Sequence, residues 1–158
     1  ALMQHLDPGR VFVSGTNNGE TLSLVAMMAV LKHMDWVKLP KRLGEQGRLL
    51  RDRFNHLSVQ AGLGPHLSCV GDGARTVVKW DTVVLSHAHQ DLFQQSCARG
   101  GLLFMGAHNM AEAHERYEIE YALQIYEGAM AEIAACSTEA DAASRLEGAP
   151  PVIPYRMQ

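Results

Sequence analysis

The sequence predicts an α+β fold: a small, mainly antiparallel sheet with helices on one face, preceded by a long apolar helix. Several segments carry apolar residues at spacings of three and four, which is typical of helices. Two shorter segments on either side of Gly71-Asp72-Gly73 are apolar at every second position, which is typical of paired strands. After the first helix, the predicted order is therefore helix, strand, strand, helix, strand, helix.

The composition is that of one ordinary globular domain, because the chain has 158 residues of which 47% are apolar and 20% are charged. A net charge of −3 argues against a nucleic-acid or acidic-membrane partner. No run has the length of a membrane span, and no signal-peptide pattern opens the chain. The three cysteines, which are widely spaced and form no CxxC pair, indicate reduced thiols packed in the core of a cytoplasmic protein.

The first helix is predicted over Glu20–Met34, after a strong break at Asp7-Pro8-Gly9 and a strand stub at Val11–Val13. It has almost no polar face, and helices of this kind are normally buried on all sides. Two arrangements satisfy that expectation. The helix lies at the centre of this unit, or it lies between this unit and a missing domain or a second subunit.

A second helix is predicted from about Pro40 to Ala61, because proline is tolerated in a first turn and Gly62 and Gly64-Pro65 are stop signals. The strands Leu67–Val70 and Thr76–Trp80 follow. The later elements are a helix capped by Ser86 and running to Arg99, a strand at Leu102–Met105, a loop at Gly106–His114 and a helix at Glu115–Ala135. The tail, residues 137–158, is predicted to be weakly helical and then extended, with three prolines.

The turn Ser14–Glu20 is the strongest candidate for a binding site. A glycine-containing turn with Thr16 and Asn17 before a helix presents hydroxyl and backbone N–H groups, and the helix dipole favours an anion there. The alternative is an ordinary capped helix start with nothing bound.

An ordered set of motifs resembles the C-terminal part of class III aminotransferases, which are pyridoxal-phosphate enzymes of fold type I. The resemblance covers about residues 1–136. Within this family, the glutamate-1-semialdehyde aminomutase-like members are the most similar. The set comprises Leu2-Met3, Leu6-Asp7-Pro8-Gly9, Val13 to Glu20, the apolar helix, Gly47 to Arg51, the strand pair, Gly100 to Phe104, Ala107-His108-Asn109 and Ala113-His114.

The resemblance implies that Thr16 donates a hydrogen bond to the phosphate of pyridoxal 5'-phosphate held by the neighbouring subunit, with Gly15 and Asn17 shaping the turn. It also implies three regions: residues 1–35 as the end of a large domain with a connecting helix, residues 36–136 as a C-terminal small domain, and residues 137–158 as a tail. The resemblance further implies a homo-oligomer, which in its complete form acts on an amino-acid-like substrate.

The lysine that the family uses to bind the cofactor lies upstream of this turn. Only fifteen residues precede Thr16, and none of them is lysine. Since pyridoxal chemistry needs that lysine, we expect no catalytic residue here and no transamination or amino shift by this chain alone. Glu20-Thr21, in place of the Asn-Pro of many relatives, weakens any assignment of substrate. The alternative hypothesis is a free-standing, non-catalytic α+β module that associates through the Glu20–Met34 helix.

Other polar residues favour structural roles. His87 and His89 are two positions apart at a helix start and point to different sides, so they do not indicate a metal site. His108 and His114 flank a loop and are interpreted as structural in preference to substrate ligands. Asp72 is interpreted as a turn residue, and Arg51 and Arg53 as part of a solvated helix face. For Arg75, contact with a carboxylate is an open alternative that its position in the sequence does not decide.

Overall fold

A computed structural model describes residues 20–148, and these divide between Trp36 and Val37 into two compact units. The first unit contains helix α1, Thr21–His33. Its 13 residues fall within the predicted Glu20–Met34 segment, but the long apolar helix of that prediction is not confirmed. No residue of α1 is buried, so the apolar surface of this helix is uncovered within its own unit.

The second unit begins with helix α2, Lys38–Gln60, whose apolar stripe faces the core as its spacing predicts. Leu50 and Phe54 are buried on that stripe. Gly47 is buried as well, at a point where a Cβ atom would lie only 1.8 Å from the carbonyl oxygen of Gly73. Only glycine allows the helix to approach the strand connection this closely.

The sheet has three antiparallel strands in the order β1-β2-β3: Leu67–Asp72, Arg75–Trp80 and Ala107–Asn109. One face of the sheet is buried, and the alternation of buried and exposed residues along β1 and β2 confirms the predicted period of two. Helix α2 packs against both of these strands. The α+β fold with its small antiparallel sheet is thereby confirmed.

The predicted third strand, Leu102–Met105, is wrong. Strand β3 lies within the segment predicted to be a loop, where Thr76 pairs with His108 and Val77 pairs with Ala107. Residues 102–105 place Phe104 in the core but leave Leu103 and Met105 exposed to 87% and 79%. Gly106, with φ at +84°, separates this segment from β3 in a backbone conformation that favours glycine.

The other helices are α3, His87–Arg99, α4, Arg116–Ala134, and α5, Glu139–Ser144. Helix α4 packs on both α2 and α3, and α5 packs on α3. Gln95 of α3 anchors the chain after α5, because its amide donates to the carbonyl of Arg145 and accepts from the N–H of Glu147. Among helices α1 to α5, none is both long and apolar enough to span a bilayer.

The core of the second unit is built around packed aromatic rings. Phe93 and Tyr126 stack with their planes 8° apart and their centroids separated by 5.7 Å. Phe54 meets both of these rings edge to face. This aromatic core fixes α2, α3 and α4 against the buried face of the sheet.

Candidate functional site

The predicted phosphate contacts Thr16, Gly15 and Asn17 lie outside the described residues. The described chain begins at Glu20, which occupies the N-cap of α1.

Glu20 uses hydrogen-bond donors at the start of α1. Its carboxylate accepts from the N–H groups of Leu22 and Ser23 at 2.9 Å and 3.3 Å and from the Ser23 hydroxyl at 2.6 Å. The hydrogen bond from the Ser23 side chain lowers the pKa of Glu20, so this group is anionic at neutral pH. The N–H groups of Leu22 and Ser23 therefore already donate hydrogen bonds to a carboxylate, and the negative charge of that carboxylate would repel a phosphate.

A buried polar cluster lies in the second unit and consists of His108, Thr76 and Tyr126. The Nδ1 atom of His108 lies 2.9 Å from the Thr76 hydroxyl, and its Nε2 atom lies 2.8 Å from the Tyr126 hydroxyl. Burial lowers the pKa of His108 to about 4 and raises that of Tyr126, so both groups are neutral at physiological pH. Because both ring nitrogens of His108 are engaged within the core, the structure supports the predicted structural role.

His114 lies two residues before Arg116, the first residue of α4. Its Nδ1 atom accepts from the N–H of Ala111 at 3.1 Å, and its own N–H donates to the carbonyl of Ala111. His114 therefore closes the turn that leads into α4, which is also a structural role.

The pair His87 and His89 points to different sides, as its spacing predicts, because His87 is exposed and His89 is 5% exposed. Ser86 occupies the predicted N-cap, but its hydroxyl lies 3.0 Å from Nδ1 of His89 and makes no cap bond to the backbone. Within residues 20–148, no group of three or more His, Cys, Asp or Glu side chains has the geometry of a metal site.

Arg51 is not simply part of a solvated helix face, in contrast to the prediction. Its guanidinium donates to the carbonyl of Gly71 at 2.9 Å and to Asp52 at 2.8 Å, so it joins α2 to the end of β1. The apolar spacing of α2 correctly places Arg51 off the buried stripe. Spacing alone carries no information about the carbonyl group that faces it.

Two of the three cysteines are core residues, as predicted: Cys69 is 1% exposed and Cys97 is completely buried. Burial raises the pKa of Cys97 to about 12. Cys136 is half-buried after the end of α4, where its thiol donates to the carbonyl of Glu132. Neither Cys69 nor Cys97 has the thiolate character of a nucleophile.

Comparison with protein-family models and with curated proteins finds no match. Among solved structures, the chain is similar to an omega-transaminase from Sphaerobacter thermophilus, with a TM-score of 0.65 and 18% sequence identity. The similar region covers 84% of this chain and 33% of the transaminase chain, so this chain spans about a third of that protein's length. At this identity the likeness shows a common fold. The α+β fold of this chain is therefore similar to that of one region of the omega-transaminase.

Proposed function

We propose that this chain is the C-terminal segment of a pyridoxal-phosphate-dependent aminotransferase or aminomutase. The observation that carries the proposal is the shared fold with one third of a transaminase chain. The ordered motifs of the sequence, from Leu6-Asp7-Pro8-Gly9 to Ala113-His114, support the same family independently of that fold. In this proposal, residues 36–136 serve as the small domain of the complete enzyme and residues 137–158 as its tail.

The proposed cofactor contact is the hydroxyl of Thr16, with Gly15 and Asn17 shaping the turn around the phosphate. Glu20 limits where the phosphate can be held, because its carboxylate already accepts hydrogen bonds from the N–H groups of Leu22 and Ser23. The phosphate would then be held by the turn itself and not by the first turn of α1. Pyridoxal phosphate supplies the electron sink for amino-group chemistry when bound, and this chain contributes only to holding it.

The lysine that binds the cofactor covalently is proposed to lie outside this chain. All four lysines of the sequence, Lys32, Lys38, Lys41 and Lys79, follow the Thr16 turn, whereas the family's lysine precedes it. The large domain and the second subunit of a homo-oligomer are the proposed partners, an amino-acid-like molecule is the proposed substrate, and the cytoplasm is the proposed location.

The experiment that tests the cofactor contact uses the protein translated from the complete reading frame that encodes this chain. Thr16→Val removes the hydroxyl at nearly constant volume, and Thr82→Val makes the same change at an exposed site in the second unit. A hydrogen bond to a charged group contributes about 1.5–3 kcal/mol, so Thr16→Val should weaken pyridoxal-phosphate binding about 10- to 100-fold. Titration monitored by the cofactor's visible absorbance measures this, and equal affinities for the two variants would contradict the contact.

The second candidate is a free-standing, non-catalytic module that associates through α1. It is favoured by the uncovered apolar surface of that helix, where Leu22, Val25 and Val30 are exposed to 75%, 58% and 61%. This candidate predicts a discrete oligomer of the 158-residue chain that Val25→Glu dissociates in light scattering. Aggregation of the unmodified chain without a defined oligomer would favour the segment of a larger enzyme.

A further inference from the structure

The two edges of the three-stranded sheet differ in how their backbone groups are paired. Strand β1 forms one edge, and side chains of α2 cover it. Asn55 accepts from the N–H of Cys69 at 2.6 Å and donates to the carbonyl of Cys69 at 2.9 Å. The hydroxyl of Ser58 donates to the carbonyl of Leu67 at 2.6 Å. These contacts occupy the backbone groups that a further strand at this edge would need.

Strand β3 forms the other edge, and its outward backbone groups have no partner within residues 20–148. The N–H of Met110 donates to the carbonyl of Ala74 at 2.8 Å, so Met110 is a hydrogen-bonded position beside β2. Hydrogen-bonded positions alternate along an antiparallel strand. Ala107 and Asn109 therefore direct their N–H and carbonyl groups away from β2, and no described residue bonds to these groups.

A cavity of about 390 Å³ lies against this free edge. Ala107 and Asn109 line it together with the apolar side chains of Leu103, Phe104 and Ile119. An added strand suits such a place, because its main chain bonds to the edge while its side chains fill apolar pockets. The chemistry that fits this edge and cavity is therefore that of an extended peptide.

The segment 149–158 of this chain is attached beside this cavity. The described chain ends at Gly148, which lines a second cavity of about 360 Å³. Residues 102–104 line both cavities, so the two adjoin along a common wall. Gln95 fixes the point of departure, because its amide oxygen accepts from the N–H of Glu147 at 2.6 Å.

The sequence of this segment suits an extended strand. Pro150, Pro151 and Pro154 favour extended backbone at and before their positions. After Gly148, Ile153 and Tyr155 are the first two residues at alternate positions that both carry an N–H group.

Attachment to the same chain also matters for binding. An edge with only two outward residues offers few hydrogen bonds to hold a separate peptide, which loses its freedom of movement when it binds. A segment of the same chain is already close to the edge, so its effective concentration there is high.

We propose that residues 149–158 add a fourth strand to the sheet at the free edge of β3. The N–H groups of Ile153 and Tyr155 donate to the carbonyls of Ala107 and Asn109, whose own N–H groups donate to carbonyls of the segment. Its apolar side chains cover Leu103, which is 87% exposed among the described residues. This inference does not depend on the proposed function, since neither pyridoxal phosphate nor Thr16 takes part in it.

The test measures amide hydrogen exchange in the protein translated from the complete reading frame, with no cofactor or substrate added. Mass spectrometry with fragmentation reads the exchange at single residues. Because no described residue accepts from the N–H groups of Ala107 and Asn109, these amides should exchange fast if no strand is added. The proposal predicts that both exchange at least about tenfold more slowly than unprotected amides.

Tyr155→Pro removes one of the proposed donors and should speed the exchange of Ala107 and Asn109 at least about tenfold. Arg156→Pro is the matched control, because the N–H of the next residue along a strand points away from the edge. Fast exchange of both amides in the unmodified protein, no effect of Tyr155→Pro, or equal effects of the two substitutions would each overturn the proposal. Both substituted residues lie outside the described core, so the comparison does not require a change in the core.

Discussion

The Nε2 atom of His108 lies 2.8 Å from the hydroxyl oxygen of Tyr126, and the two side chains are only 8% and 1% exposed. This contact joins β3 to α4 across the aromatic core. Removing it should be costly, because a buried polar group that loses its partner keeps its full desolvation penalty.

Tyr126→Phe is therefore expected to lower the free energy of unfolding by about 1–3 kcal/mol. Urea denaturation monitored by circular dichroism measures the change. Tyr117→Phe is the control, because Tyr117 is 70% exposed and its substitution should cost less than about 0.5 kcal/mol. Equal stability of the two variants would show that the His108 contact contributes little.

His108 should make the stability of the second unit depend on pH. Burial lowers the pKa of its ring from 6.5 to about 4, so between these values the unfolded chain binds a proton that the folded chain does not. The contribution of neutral His108 to the free energy of unfolding is therefore fully present above pH 6.5. It decreases by about 1.4 kcal/mol per pH unit as the pH falls from 6.5 towards 4.

His108→Gln is expected to remove most of that dependence, because glutamine has no titrating group in this range. Denaturation curves for the two proteins, measured at intervals across this pH range, provide the comparison. Parallel losses of stability in both would mean that other groups cause the pH dependence.

Gly47→Ala should destabilise the packing of α2 on the strand connection. The new Cβ atom would lie 1.8 Å from the carbonyl oxygen of Gly73, so backbone must shift to admit it. Overpacking of this kind costs typically about 1–3 kcal/mol. Thermal unfolding should show a clearly lower midpoint for this variant.

Gly128→Ala is the matched control within α4. Apart from the neighbouring residues and backbone of α4 itself, no described atom lies within 4 Å of the Cβ position at Gly128, and alanine is about 0.5–1 kcal/mol more favourable than glycine inside a helix. This variant should unfold at a higher temperature than the unmodified chain. If both substitutions stabilise the protein, the close approach of Gly47 to Gly73 is not a real constraint.

The three thiols should react in a defined order. Burial raises the pKa of all three thiols, to about 12 for Cys97, but Cys69 and Cys97 are buried in the core whereas Cys136 is only half-buried. With a thiol-specific alkylating reagent, native protein should be labelled first at Cys136, and the other two only after unfolding. Peptide mass spectrometry identifies the sites, and early labelling of Cys97 would contradict the described core.

Much of the fold is predictable from the sequence because its main elements have regular spacing. Helices α2, α3 and α4 begin and end within two residues of the predicted positions, and the β1-β2 hairpin follows its glycine-containing turn. Strand β3 has only three residues, and the continuous apolar run Leu102–Met105 instead places Phe104 in the core. Periodicity cannot distinguish these two uses over so short a segment.

The buried polar cluster was less accessible to prediction. Thr76 and Tyr126 lie 32 and 18 residues from His108 along the chain, so only the register of β3 and the packing of α4 bring them together. The sequence indicated a structural role for His108 but not its partners. The Thr16 turn falls outside the described residues, and its phosphate contact stays a prediction.

Amine-donor turnover with added pyridoxal phosphate tests the central claim most directly. The 158-residue chain and the protein translated from the complete reading frame are compared under the same conditions. The proposed function predicts cofactor-dependent amino-group transfer or an amino shift by the complete protein and none by the 158-residue chain. Turnover by the 158-residue chain, or a reading frame that begins at or near Ala1 and yields an inactive protein, would contradict it.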